Sequence, residues 1–213
     1  MVLELVTAPS GSVVSDAEIY DELRVDLTGS PAEPVDADVI QAARNAAEGF
    51  LDGACGVLGR ALLTQTWKLH LDGFPCGGRY APGKGYVDKG AILLPLPPLQ
   101  SVSSITYVDT AGATQTLAGS VYQVVNRQRV RSMIVEAYGQ SWPSTRDVPQ
   151  SVTVQFVAGY GAASDVPEDI KRVIRAMVVD FYDNRSAVVI GKQPAIQPII
   201  DWVIYKYGAD RFG

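Results

Sequence analysis

The sequence is short of several residue types that specialised chemistry requires. It has two cysteines, Cys55 and Cys76, and one histidine, His70, in 213 residues. Two cysteines without CxxC spacing cannot build a disulfide framework or a thiolate metal site. A lone histidine with no cysteine nearby leaves a metal site to be built mostly from carboxylates, so neither metal nor cofactor is expected. No uninterrupted apolar run approaches the ~18 residues needed to span a membrane, and no membrane partner is expected. The opening Met1-Val2-Leu3-Glu4 lacks a basic region ahead of an apolar stretch, so no secretory signal is expected and a soluble, cytoplasmic chain is the default. Charge is also scarce, at 19% of residues against about 25% in ordinary soluble domains. Surface that is not charged is often surface that another chain covers.

What is present begins with an apolar fraction of 47%, which excludes a disordered chain, and a length that accommodates one or two domains. The net charge of −5 is unevenly spread. Residues 1–60 hold 3 basic and 11 acidic residues, residues 61–160 hold 8 and 5, and residues 161–213 hold 7 and 7. A front segment of net −8 argues against general duplex binding, which needs clustered Lys and Arg to displace counterions.

Periodicity divides the chain. Ser15-Asp16-Ala17-Glu18 reads as a capping box opening a helix that runs to about Val25 and buries Ile19 and Leu23. Asp36 is placed to cap a second helix carrying Val39, Ile40, Ala43, Ala47, Phe50 and Leu51, ended by Gly53, Gly56 and Gly59. The first sixty residues thus read as a helical hairpin. From about Leu62 the period becomes two: Trp67, Leu69 and Leu71 alternate with Thr66, Lys68 and His70. Further strands are predicted at 91–95, 102–108, 114–117, 121–126, 130–136 and 151–158. Helix returns with Asp165 as the cap, Pro167 in the first turn, and the stripe Ile170, Val173, Ile174, Met177, Val178, Phe181 and Tyr182. Helices, then strands, then helix predict an α+β fold, a small helical bundle with an inserted antiparallel β-domain. Its parts are an N-terminal helical part at 1–60, the β-domain at 61–163, a long helix at 164–190 and a tail at 191–213.

The chemical motifs are weak. Gly78-Arg79-Tyr80-Ala81-Pro82-Gly83-Lys84-Gly85 approaches a phosphate-binding loop, but Gly85 stands where a magnesium-holding hydroxyl is required and no helix start follows. It reads as an exposed basic hairpin loop bearing Arg79, Lys84 and Lys89. His70 falls on the polar face of a strand, and Ser141 lacks the glycines of a nucleophile elbow. No catalytic constellation emerges, and no enzyme is expected. The tail is different: Ile199, Ile200, Trp202, Tyr205 and Tyr207 crowd a short segment beyond Pro194 and Pro198. Such a segment either docks on the chain's own core or anchors in another subunit, where Trp and Tyr dominate binding energy.

Several word-like stretches occur together. They include Gly59-Arg60-Ala61-Leu62-Leu63-Thr64-Gln65-Thr66-Trp67, Leu71-Asp72-Gly73-Phe74-Pro75, the run Leu96-Pro97-Pro98-Leu99-Gln100-Ser101 to Tyr107, Trp142-Pro143-Ser144-Thr145-Arg146, and Val154-Gln155-Phe156-Val157-Ala158-Gly159-Tyr160-Gly161. With Leu5-Val6-Thr7-Ala8-Pro9 at the front and Asp183-Asn184-Arg185 closing the long helix, their order and spacing resemble the head–tail connector (adaptor) proteins of tailed bacteriophages. The resemblance runs from about residue 3 to residue 190. It implies a non-enzymatic ring subunit of a virion neck, usually twelve-fold, assembled in the host cytoplasm. Such a ring docks beneath a portal protein, extends the DNA channel and receives a stopper or tail-completion protein. On that implication Ile199, Ile200, Trp202, Tyr205 and Tyr207 are candidates for the portal contact. Asp16, Glu18, Asp21, Glu22, Asp36 and Asp38 are candidates for an acidic channel lining that lets DNA slide without sequence-specific binding. A nucleotide-binding or enzymatic protein using the Gly78–Gly85 loop, and a generic bacterial protein-binding module, are the competing readings.

Overall fold

A computed structural model describes residues 1–28, 34–75, 90–128, 130–184 and 197–209, with the backbone alone at 79–81 and 85–87. The order is β1 (Val2–Thr7), α1 (Asp16–Leu23), α2 (Ala37–Leu51), β2 (Gln65–Leu71), β3 (Arg79–Ala81), β4 (Gly85–Val87), β5 (Ile92–Leu94), β6 (Leu99–Val108), β7 (Thr114–Thr116), β8 (Tyr122–Val125), β9 (Ser132–Glu136), β10 (Val152–Ala158), α3 (Glu168–Asp183) and α4 (Gln197–Tyr207). The fold is α+β. One apolar core lies among the four helices, and a second lies in the β-domain.

In the bundle, the capping box at α1 forms as the sequence requires. Ser15 Oγ accepts from the Glu18 amide, and the Glu18 carboxylate accepts from the Ser15 amide at 2.8 Å. Helix α1 buries Ile19, α2 buries Ile40, Ala43, Ala47 and Leu51, and α3 buries Ile170, Val173, Ile174, Met177 and Val178. Asp36 stands at the N-cap of α2 but makes no capping bond; its carboxylate accepts instead from Tyr182 Oη at 3.0 Å, tying α2 to the end of α3. At α3 the cap position belongs to Pro167, and the carboxylate of Asp165 accepts from the Ala162 amide at 2.9 Å in the turn before it. Pro198 does not break the tail: it is the second residue of α4, where a missing amide costs nothing.

The β-domain has three antiparallel sheets. Five strands run in the order β1-β2-β10-β6-β7, three in the order β5-β9-β8, and β3 pairs with β4 as a separate hairpin. Alternate residues are buried at Gln65, Trp67 and Leu69 of β2 and along the whole of β10, including Val152, Val154 and Phe156. The strand β1 departs from the helical expectation for residues 1–60. It crosses out of the helical part to pair with β2, with Leu3 opposite Leu69 and Leu5 opposite Trp67.

Bundle and β-domain meet where the chain leaves and re-enters. Tyr160 donates its amide to Leu62 O at 3.1 Å and Thr64 to Gly161 O at 3.1 Å. Gly159 sits at φ 122°, and a Cβ there would lie 2.1 Å from Leu63 O, so only glycine lets the two segments pass.

Candidate assembly surfaces

Helix α4 presents two faces. Ile200 and Val203 are buried in the bundle core, and Tyr207 packs against it while donating its hydroxyl to Asp169 Oδ2 at 2.9 Å. The end of the helix is fixed as well: the buried guanidinium of Arg60 donates to the Tyr207 carbonyl and to Gln128 O, and Ala209 donates its amide to Leu58 O. A cation at a helix C-terminus is favourable because the last carbonyls carry partial negative charge. Hydrogen bonds from Lys206 and Tyr207 hold the Asp169 carboxyl below the usual range. The other face carries Ile199, Trp202 and Tyr205, which are 37%, 48% and 62% exposed. Lys206 Nζ lies 4.7 Å from the Trp202 ring centroid. The five aromatic and aliphatic candidates therefore divide: Ile200 and Tyr207 belong to the chain's own packing, and Ile199, Trp202 and Tyr205 form an outward ridge.

The acidic candidates divide similarly. Asp16 pairs with the buried Arg44, and Glu18 and Glu22 lie 3.6 and 3.9 Å from Arg175. Asp36 is held by Tyr182. Asp21 and Asp38 are exposed, and Asp21 shares a shallow cleft with Glu18, Glu22, Arg24 and Arg175. Asp16, Glu18 and Glu22 are thus paired with Arg44 or Arg175 while staying at the bundle surface.

The basic-loop candidates lie on the small hairpin. Arg79 is in β3, opposite Val87 of β4; Lys84 and Lys89 lie outside the described residues. A strand follows the Gly78–Gly85 segment where a phosphate-binding loop would require a helix. His70 bridges Glu4 Oε2 at 2.9 Å and Thr153 Oγ1 at 3.1 Å, so the histidine clasps β1 to the sheet. Among the described residues no three His, Cys, Asp or Glu side chains are grouped to hold a metal, and no helix is long and apolar enough to cross a membrane.

Two surfaces escaped the sequence reading. The strand β1 exposes Val2, Leu5 and Val6, and β8 exposes Val124 and Val125 beside Arg127 and Arg131. The β-branched content of Val2-Leu3-Glu4-Leu5-Val6-Thr7, stopped by Pro9, was the available signal for the first; the run Asn126-Arg127-Gln128-Arg129-Val130-Arg131 was the signal for the second.

Comparison with family models and with curated proteins returns no match. Comparison with solved structures does. Over 99% of this chain and 97% of theirs, it is similar to a chain of the virion of a native gene transfer agent particle at 24% identity and TM-score 0.68. At the same coverage it is similar to a chain of the neck of the empty particle computed with C6 symmetry, at 23% identity and TM-score 0.69, and to one of the native particle's neck computed with C12 symmetry, at 23% and 0.66. The chain therefore has, nearly end to end, the fold of neck chains of a phage-like particle.

Proposed function

We propose that this chain is a structural, non-enzymatic subunit of the neck of a phage-like particle, an adaptor that assembles as a ring beneath the portal protein. The observation that carries the reading is the fold shared with neck chains over 99% of the sequence. Two features support it. A ring subunit must offer different surfaces to its two neighbours, which accords with the low charge content and the several exposed apolar surfaces. The outward ridge Ile199, Trp202 and Tyr205 stands on a helix whose base is fixed by Arg60, so it is presented with little conformational freedom left to lose. On this reading the ridge meets the portal. The exposed acids Asp21 and Asp38 face the channel with the residual charge of Glu18, Glu22, Asp16 and Asp36. The far end of the ring receives the stopper or tail-completion protein, and twelve copies surround DNA that passes without sequence-specific binding.

The test is reconstitution with the portal protein of the same particle. Negative-stain images should show a ring added to the portal, and the variant Ile199→Ala/Trp202→Ala/Tyr205→Ala should bind at least tenfold more weakly while melting as the parent does. Absence of any complex, together with a rise in melting temperature on adding ATP, would replace the adaptor with a nucleotide-binding protein.

A further inference from the structure

The five-stranded sheet ends at β1, and the three-stranded sheet ends at β8. Monomeric proteins protect such edges with lysine, proline or inward charge, because the free amides and carbonyls otherwise recruit another strand. Neither edge carries lysine, arginine or proline, and the one irregularity is a register shift between Leu5 and Thr7 in β1. In β1 every residue except Leu3 is exposed, there is no lysine, arginine or proline, and the one charge, Glu4, is engaged by His70. Val2, Leu5 and Val6 are 50%, 44% and 43% exposed. In β8, Val124 and Val125 are 40% and 38% exposed.

We infer that β1 of one copy adds to the open edge of β8 in the next copy, joining neighbouring β-domains by strand addition. Resting on the ring reading above, this names the surfaces that close the ring. The occupant follows from three features. Pairing two different edges is heterologous, the kind of contact that closes a ring when its rotation permits, as in the similar neck chains with C6 and C12 symmetry. By contrast, β1 against β1 would give a two-fold dimer and stop. Both edges carry Val or Leu side chains that cover one another across strands. No like charges would meet either: Glu4, the one charge in β1, is bonded to His70, and β8 carries none.

The experiment mixes two singly substituted full-length chains, Leu5→Cys and Val124→Cys, each with Cys55→Ser and Cys76→Ser, on the portal protein under mild oxidation. Disulfide-linked heterodimers should form in the mixture, and Leu5→Cys mixed with Gln115→Cys of β7 should give none. A portal-bound ring without the Leu5–Val124 link, or Leu5→Cys linking to itself, overturns the inference and leaves the ring reading standing. Failure to form a ring on the portal overturns both. In parallel, Leu5→Lys should reduce ring assembly at least tenfold with an unchanged melting curve; undiminished assembly contradicts strand addition.

Discussion

At the residue scale, one of the contacts between bundle and β-domain is a line of three side chains. Trp67 Nε1 donates to Gln65 Oε1 at 3.0 Å, Gln65 Nε2 donates to Asp52 Oδ2 at 2.6 Å, and the other Asp52 oxygen accepts the Leu62 amide at 2.7 Å. Trp67 is 7% exposed, so Trp67→Ala should cost about 3–5 kcal/mol in a urea titration; an unchanged midpoint would mean the strand face is not core. Burial raises the Asp52 carboxyl above its usual range, against the pull of its hydrogen bonds. A carboxyl raised in the fold favours the folded state below the unfolded value of about 4. That advantage is lost as pH rises through the folded value. The stability difference between the parent and Asp52→Asn should therefore move in the variant's favour as pH rises through the acid range. A pH-independent difference contradicts the burial argument. Gly159→Ala should destabilise by roughly 3 kcal/mol or more, since it adds a clash with Leu63 O to an unfavourable φ. Of these positions Trp67 was legible, because its alternation with polar neighbours is local. Asp52 was not, because nothing in the chain before folding links residue 52 to residue 65.

At the scale of elements, α4 carries a buried face and an exposed face on one helix. Ile200→Ala should cost about 2–5 kcal/mol because it opens space in the bundle core. Trp202→Ala, on the outward ridge, should cost under about 1 kcal/mol, mainly the contact with Lys206. Thermal melts of both variants check this, and equal losses would place Trp202 in the core as well. The sequence showed that the tail was dense in apolar residues but not which of them point inward. That assignment depends on Arg60 and Leu58, some 150 residues earlier, fixing the helix end. The strand β1 was illegible for a related reason. Val2-Leu3-Glu4-Leu5-Val6-Thr7 has no clean two-residue period, since it lies at an edge and buries little. Its identity as a strand comes from β2, more than sixty positions away. By contrast α1, α2, α3 and most β-domain strands carry their own period and were legible as elements. Of the expected caps, however, only Ser15 makes its bonds, and α3 starts at Glu168 rather than just after Asp165.

At the scale of the whole molecule, the described residues form two apolar cores and leave several large apolar side chains outward. Its helices form one core and its strands another, tied by Arg60, Asp52 and the glycine passage at 159. The proposed role is assembly with copies of itself on a portal, and native mass spectrometry of the two purified proteins together is the decisive check. A single complex carrying twelve copies of this chain per portal ring is the expected mass. A mass corresponding to free portal and free monomer under every assembly condition would contradict it.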